Sequence, residues 1–323
     1  MPHFSFWAWN LPFVGSMSLA AERITALEAT FAPSHGGQWA DKIPKAVWRG
    51  TAFYNSVQSP QLRQNLVNMA KGKPWADVEP LKWAPTDTDK GTRNATNALK
   101  VEEFCRYKYV IHTEGIAYSG RFQFLQMCKS VVITTPVLWM QHVTHLVRPL
   151  FSGTLDLHFG GMGRRVERGL AGHGDGNGEG GVNRTAAIDN TGSTAPAHQK
   201  RMAQPARTTK KNKHWPPSQR TLKAWPTQYP PTEANMVFVA PDWSDLEDTI
   251  AWLEANPDVA EGIAHRQREL FVGGGYFSPA AEACYWRALV RGWAKVAKTE
   301  GEGWEEPGKE GVPFEQFVLN NEL

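Results

Sequence analysis

KYVIHTEGIAYSGRFQFLQMCKSVVI, residues 108–133, is the stretch that decides the fold. Positions 108–113 alternate and carry the β-formers Tyr109, Val110 and Ile111, which predicts a strand, and 130–134 (SVVIT) predicts a second. Gly115 and Gly120 bracket the turn between them, and Ser119 and Arg121 stand where a helix would begin. A strand that feeds a helix N-terminus through small residues makes an anion site, because the free amides and the positive dipole end face the strand's carboxyl end. An arginine and a hydroxyl at that point suggest a phosphate or diphosphate ligand. The competing reading is an ordinary βαβ unit with packing glycines and a surface arginine, and spacing alone favours it.

Outward from this unit the same alternation continues. Residues 46–50 (AVWRG) form a short strand ending in Arg49 and Gly50. Residues 61–70 form a helix with Leu62, Leu66 and Met69 on one side and Arg63 beside them. An earlier helix is expected at 18–30. Downstream follow a buried strand at 236–240 and a helix at 245–255 with Asp242 and Ser244 as N-caps. A helix at 257–271 is broken by glycines at 273–275, and an amphipathic helix at 279–297 starts from Ser278. Strands alternating with helices give an α/β class with a largely parallel sheet. In such sheets ligands sit at the carboxyl ends of the strands, the edge that Arg49, Ser119 and Arg121 share.

The chain has 323 residues, enough for one large domain or two ordinary ones, and its hydrophobic fraction of 41% suits a globular protein. No apolar run is long enough to span a bilayer, and residues 1–20 lack the basic start and apolar core of a signal peptide. Taken literally, this is a cytosolic sequence. Its net charge of +3 is unevenly spread: residues 160–225 hold twelve Lys and Arg against four acids, a charge of +8, leaving −5 for the remainder. Residues 152–234 also lose hydrophobic periodicity, running through GHGDGNGEGG, TTKKNK, HWPPSQ and QYPPT. That composition reads as a disordered, low-complexity insert. It fits a regulatory or nucleic-acid-binding loop, a plain linker, or translated non-coding sequence. The aromatics of a base-stacking surface are sparse, so no nucleic-acid partner is expected.

WRGT (48–51), LRQ (62–64), CRYKYVIHTEG (105–115), YSGRFQFLQMCKSVV (118–132), SDLEDTIAWLEANP (244–257) and PAAEACYWRALVRGWA (279–294) follow one another in that order. Together they resemble glycosyltransferase family 90, which contains protein O-glucosyltransferases and fungal capsule-associated xylosyltransferase-like proteins. FSFWAWNLPF (4–13) and ACYWRALVRGW (283–293) place the likeness nearest the fungal branch. The resemblance implies the Rossmann-like, donor-binding C-terminal domain of a GT-B enzyme, formed by 46–151 and 235–298. Residues 1–45 are then a remnant of the N-terminal acceptor domain, and 299–323 a tail.

The resemblance further implies a UDP-sugar donor, UDP-xylose or UDP-glucose, held without a metal or other cofactor. The implied contacts are Arg121 on the diphosphate beside Ser119, Gly120 and Phe122, then Arg49, Gly50 and Thr51 near the nucleotide, and Arg63 and Gly115 alongside. Transfer would go with inversion to a glycan or protein hydroxyl. The family's catalytic base is an aspartate upstream of the segment matching HFSFW, ahead of Met1, so no catalytic residue is assigned. Asp41, Asp77 and Glu114 do not occupy its position, and Glu114 reads as a turn residue. Cys105 and Cys128 match a disulfide pair of animal members, whereas Cys284 would lack its partner; three buried free thiols are the alternative. A family parent would work in the secretory pathway, in the ER or Golgi, with a membrane anchor preceding this chain. A nucleotide-sugar-binding protein without catalysis is the other functional class.

Overall fold

The computed structural model describes residues 14–31, 39–56, 58–84, 95–155 and 215–297. The aromatic opening, most of the basic insert and the tail lie outside the described residues.

The most apolar runs build the centre of a six-stranded, wholly parallel sheet. Its strands are β1 (Ile43–Gly50), β2 (Ala76–Pro80), β3 (Tyr107–His112), β4 (Val131–Thr134), β5 (Pro149–Phe151) and β6 (Met236–Phe238). They lie in the order β2-β1-β3-β4-β6-β5. Strands buried on both faces need apolar residues at odd and even positions alike. Val47, Val110, Val132, Met236 and Phe238 accordingly enter one core cluster, while the alternate residues Trp48, Tyr109, Ile111, Ile133 and Val237 are equally buried.

Helices α1 (Met17–Ala29), α2 (Leu62–Ala70), α3 (Phe122–Leu125), α4 (Gln219–Ala224), α5 (Leu246–Ala255), α6 (Pro257–Arg268) and α7 (Pro279–Val296) complete the architecture. Ser16, Ser218 and Ser278 cap α1, α4 and α7 by accepting the backbone N–H three residues on. Past α6 the chain makes a π turn, Glu269–Gly273, before the glycines end it.

The structure corrects several expectations. Helix α1, in the segment read as an N-terminal-domain remnant, packs on the sheet: Met17, Ala20 and Ile24 join the same core cluster. Its Glu28 forms a buried ion pair with Lys42 (2.9 Å), just ahead of β1. Part of the segment expected to be a disordered insert has defined structure. Within 215–234 lies α4, and Trp225 is buried with its ring 5.2 Å from Phe238. One buried tryptophan outweighs the polar composition around it. Neither Asp242 nor Ser244 caps α5. Asp242 instead accepts from the N–H and hydroxyl of Ser244, and Asp245 occupies the cap position. The Asp245 carboxylate accepts from the Ala240 amide and the Ser152 hydroxyl, tying β6 to the end of β5.

Candidate anion-binding site

From β1 the chain steps to β2 on one side, then returns to β3 on the other. The loops after β1 and β3 therefore diverge and leave a crevice at the carboxyl edge, the topological switch point of an open parallel sheet. A cavity of about 210 Å³ sits there, lined by Arg49, Gly50 and Thr51 from the first loop, Ser119 and Arg121 from the second, and Arg63 from α2.

Arg63, in the first turn of α2, is buried beneath the cavity. Its Nε donates to the Glu114 carbonyl (2.9 Å), Nη1 to Thr51 O (2.9 Å) and Nη2 to Thr113 O (3.5 Å). One guanidinium thus spans the two diverging loops, lying 5.9 Å over the Trp48 ring. Burial pulls its pKa down to about 10. Arg121 is part-buried and donates from Nη1 to the carbonyl of Arg49. Burial, and then the neighbouring Arg63, pull its pKa down to about 9. The hydrogen bonds of both arginines go to carbonyl oxygens, and neither makes an ion pair among the described residues. Two adjacent cations with no carboxylate between them raise the local potential, and an anion entering the cavity relieves it.

Arg49 lines the cavity, but its guanidinium is engaged away from it. Its Nη2 pairs with the Asp77 carboxylate (2.7 Å), Nη1 donates to Asp77 O (2.8 Å) and Trp48 O (3.0 Å), and Nε to Asn97 O (3.2 Å). The side chain is spent fastening β1 to β2 and to the segment at 97. What Arg49 gives the cavity is the carbonyl that positions Arg121.

Gly50, Ser119 and Thr51 line the cavity, whereas Gly115, Gly120 and Phe122 do not. The glycines shape it by permitting close approach. A Cβ on Gly50 would stand 2.6 Å from Trp48 Cζ2 and 3.1 Å from Arg121 Nη2. One on Gly115 would stand 3.2 Å from Arg63 Nη2, and the Gly115 N–H closes its turn on Ala117 O (2.8 Å). Phe122 is a core residue whose ring lies tilted against His112, with centroids 4.3 Å apart. Helix α3 has four residues, a single turn, so a macrodipole contributes little and the arginines carry the positive charge. The Cys105–Cys128 disulfide joins the 3-10 turn before β3 to the end of the α3 segment, with Cα atoms 4.9 Å apart; Cys284 is free and exposed.

Sequence reasoning missed two groups. The Glu114 carboxylate accepts from the amides of Leu138 (3.0 and 3.1 Å) and Trp139 (2.7 Å), holding the loop after β4 against the loop after β3. Burial pushes its pKa up against the pull of those amides. His112, the last residue of β3, is fully buried. Burial, reinforced by Arg121 and Arg63, holds its pKa well below the ordinary histidine value. Neither carries a sequence signal, since each role depends on loops that meet only in the fold.

Residues 1–152 match the model of a family described as Glycosyl transferase family 90. Among curated proteins, an O-glucosyltransferase rumi homolog of Aedes aegypti is 30% identical over 115 residues, and one of Anopheles gambiae 30% over 114. O-glucosyltransferase rumi of Drosophila melanogaster is 26% identical over 113 residues. Each alignment covers 34–35% of this chain and 27–28% of the relative, so the chain spans about a quarter of the length of the curated relatives it matches. Among the described residues no helix is long and apolar enough to cross a membrane.

Proposed function

We propose that this chain, which matches the glycosyl transferase family 90 model through residues 1–152, belongs to that family and that its switch-point cavity grips the diphosphate of a UDP-sugar for glycosyl transfer. The observation that carries the reading is the pair Arg63 and Arg121, held side by side by carbonyl oxygens with no carboxylate among the described residues to neutralise either.

The chemistry follows from the charge. When an acceptor hydroxyl, deprotonated by a base, attacks C1 of the sugar with inversion, negative charge builds on the departing UDP. Preorganised guanidinium groups stabilise that charge without reorganising, the largest electrostatic demand of the step. Arg121 takes the diphosphate from one side and Arg63 from below. Ser119 and Thr51 offer hydroxyls, and no resident metal or cofactor is assigned. The names of the relatives favour glucose over xylose as the sugar, and a protein or glycan hydroxyl as the acceptor. The work would take place in the secretory pathway.

A second reading is a nucleotide-sugar-binding protein without catalysis. It is favoured by a cavity lining that holds no carboxylate among the described residues. Both oxygens of Glu114, on the loop after β3, are already engaged by amides, and Asp77 is paired with Arg49.

Calorimetric titration tests the shared core of both readings. UDP should bind and uridine should not, because the site is built for the diphosphate; no heat with UDP would sink the proposal. Hydrolysis of UDP-glucose, or transfer from it, then separates enzyme from binding protein.

A further inference from the structure

At the end of β3, the strand that leads into the loop carrying Ser119 and Arg121, lies a titratable group that glycosyl transfer leaves unused. His112 is 1% exposed, and its Nε2 has no hydrogen-bond partner among the described residues. Its ring lies tilted against that of Phe122, the residue after Arg121, and the carbonyls of the next two residues, Thr113 and Glu114, accept from Arg63.

The groups around it are nearly all neutral or cationic. Across the sheet its register partner is Thr134 of β4, whose hydroxyl donates to Thr135 O. On β1, Arg49 is paired with Asp77. From the α3 segment it meets the Phe122 ring, and on its own loop Glu114 is taken up by the Leu138 and Trp139 amides. The charges that bear on the imidazole are Arg63 from α2 and Arg121 from the turn, both positive.

We infer that His112 is a ligand-recruited third cation of this site, neutral without ligand and protonated when a diphosphate settles between Arg63 and Arg121. The inference rests on reading the cavity as a diphosphate site. Its physical basis is reciprocity. Two guanidinium charges disfavour a third, a bound dianion reverses the sign of the local potential, and a buried nitrogen without a partner has no competing bond to lose. Binding then takes up a proton, so affinity must rise as pH falls. His112 acts through the arginines rather than on the sugar, and is a positioning residue.

UDP-glucose is the suitable probe, because its diphosphate is a diester that does not titrate near neutrality. Calorimetry in buffers of different ionisation enthalpy reads proton uptake directly. We expect uptake near pH 6 and binding about five- to tenfold tighter at pH 5.5 than at pH 7.5, a dependence lost in His112→Gln. If His112→Gln does not fold, nitrogen NMR of histidine-labelled wild-type protein at pH 5.5 replaces it, with UDP-glucose expected to convert one neutral imidazole to imidazolium. Binding that is independent of pH, the same pH dependence in His112→Gln, or no new imidazolium each overturns the inference and leaves the donor site standing. No binding at any pH overturns both.

Discussion

Replacing Gly50 by alanine adds one methyl group at the point where the site is tightest. Gly50 ends β1 with an ordinary backbone conformation, so the consequence is one of packing. The new Cβ would lie 2.6 Å from Trp48 Cζ2, a distance that requires something to move. Trp48 is fully buried and anchored by its Nε1–H bond to Thr113 Oγ1 (3.0 Å), so it yields little. The other near atom is Arg121 Nη2, at 3.1 Å. Overpacking of this kind costs about 1–3 kcal/mol of stability. The displacement also moves Arg121 off the Arg49 carbonyl. Loss of one charge-assisted contact to the ligand, about 1.5–3 kcal/mol, corresponds to roughly tenfold or more in UDP affinity. Urea unfolding should show a lower midpoint at unchanged slope, and calorimetry a weaker UDP isotherm. A variant that keeps both the midpoint and the affinity of the wild type would refute the claim that Gly50 is there for close approach.

Arg121→Met and Arg49→Met should separate the two guanidinium roles. The first should abolish UDP binding while leaving the thermal midpoint unchanged or higher, since it removes a cation repelled by Arg63; the second should lower the midpoint by leaving Asp77 without its partner. Lys42→Met removes the cation of a buried ion pair, leaving Glu28 the Lys129 amide, and should cost about 3–5 kcal/mol in chemical denaturation, with Lys42→Met/Glu28→Gln recovering part of it. His112 is held neutral in the folded chain but protonates near pH 6.5 when unfolded. The unfolded state therefore binds the extra proton, and stability contributed above that pH is lost as pH falls below it, by up to about 1.4 kcal/mol per unit. His112→Phe, which keeps an aromatic partner for Phe122, should flatten that acid limb in unfolding titrations between pH 7 and 5.

The central strands were legible because burial on both faces writes itself as continuous apolar runs, VVIT and YVIH among them. The edge strands were not. β2 (ADVEP) and β5 (PLF) are short, contain proline, and in β2 alternate with acids, which an edge tolerates and a pattern search passes over. Residues 215–234 were misread for a related reason. Their composition is polar, yet Trp225 has a slot against Phe238, formed by a strand that follows it in the chain.

The sequence by itself determined the fold class, the position of the turn between β3 and β4, and the arginines gathered at the carboxyl edge. Those features are local, set by periodicity and by residues close in the chain. Only the tertiary structure decided which arginine does what. Arg49 is drawn away by Asp77, 28 positions downstream, while Arg63 and Arg121 find only carbonyl oxygens. A guanidinium's role depends on whether a carboxylate reaches it, and that is fixed by how strands distant in sequence come to lie side by side.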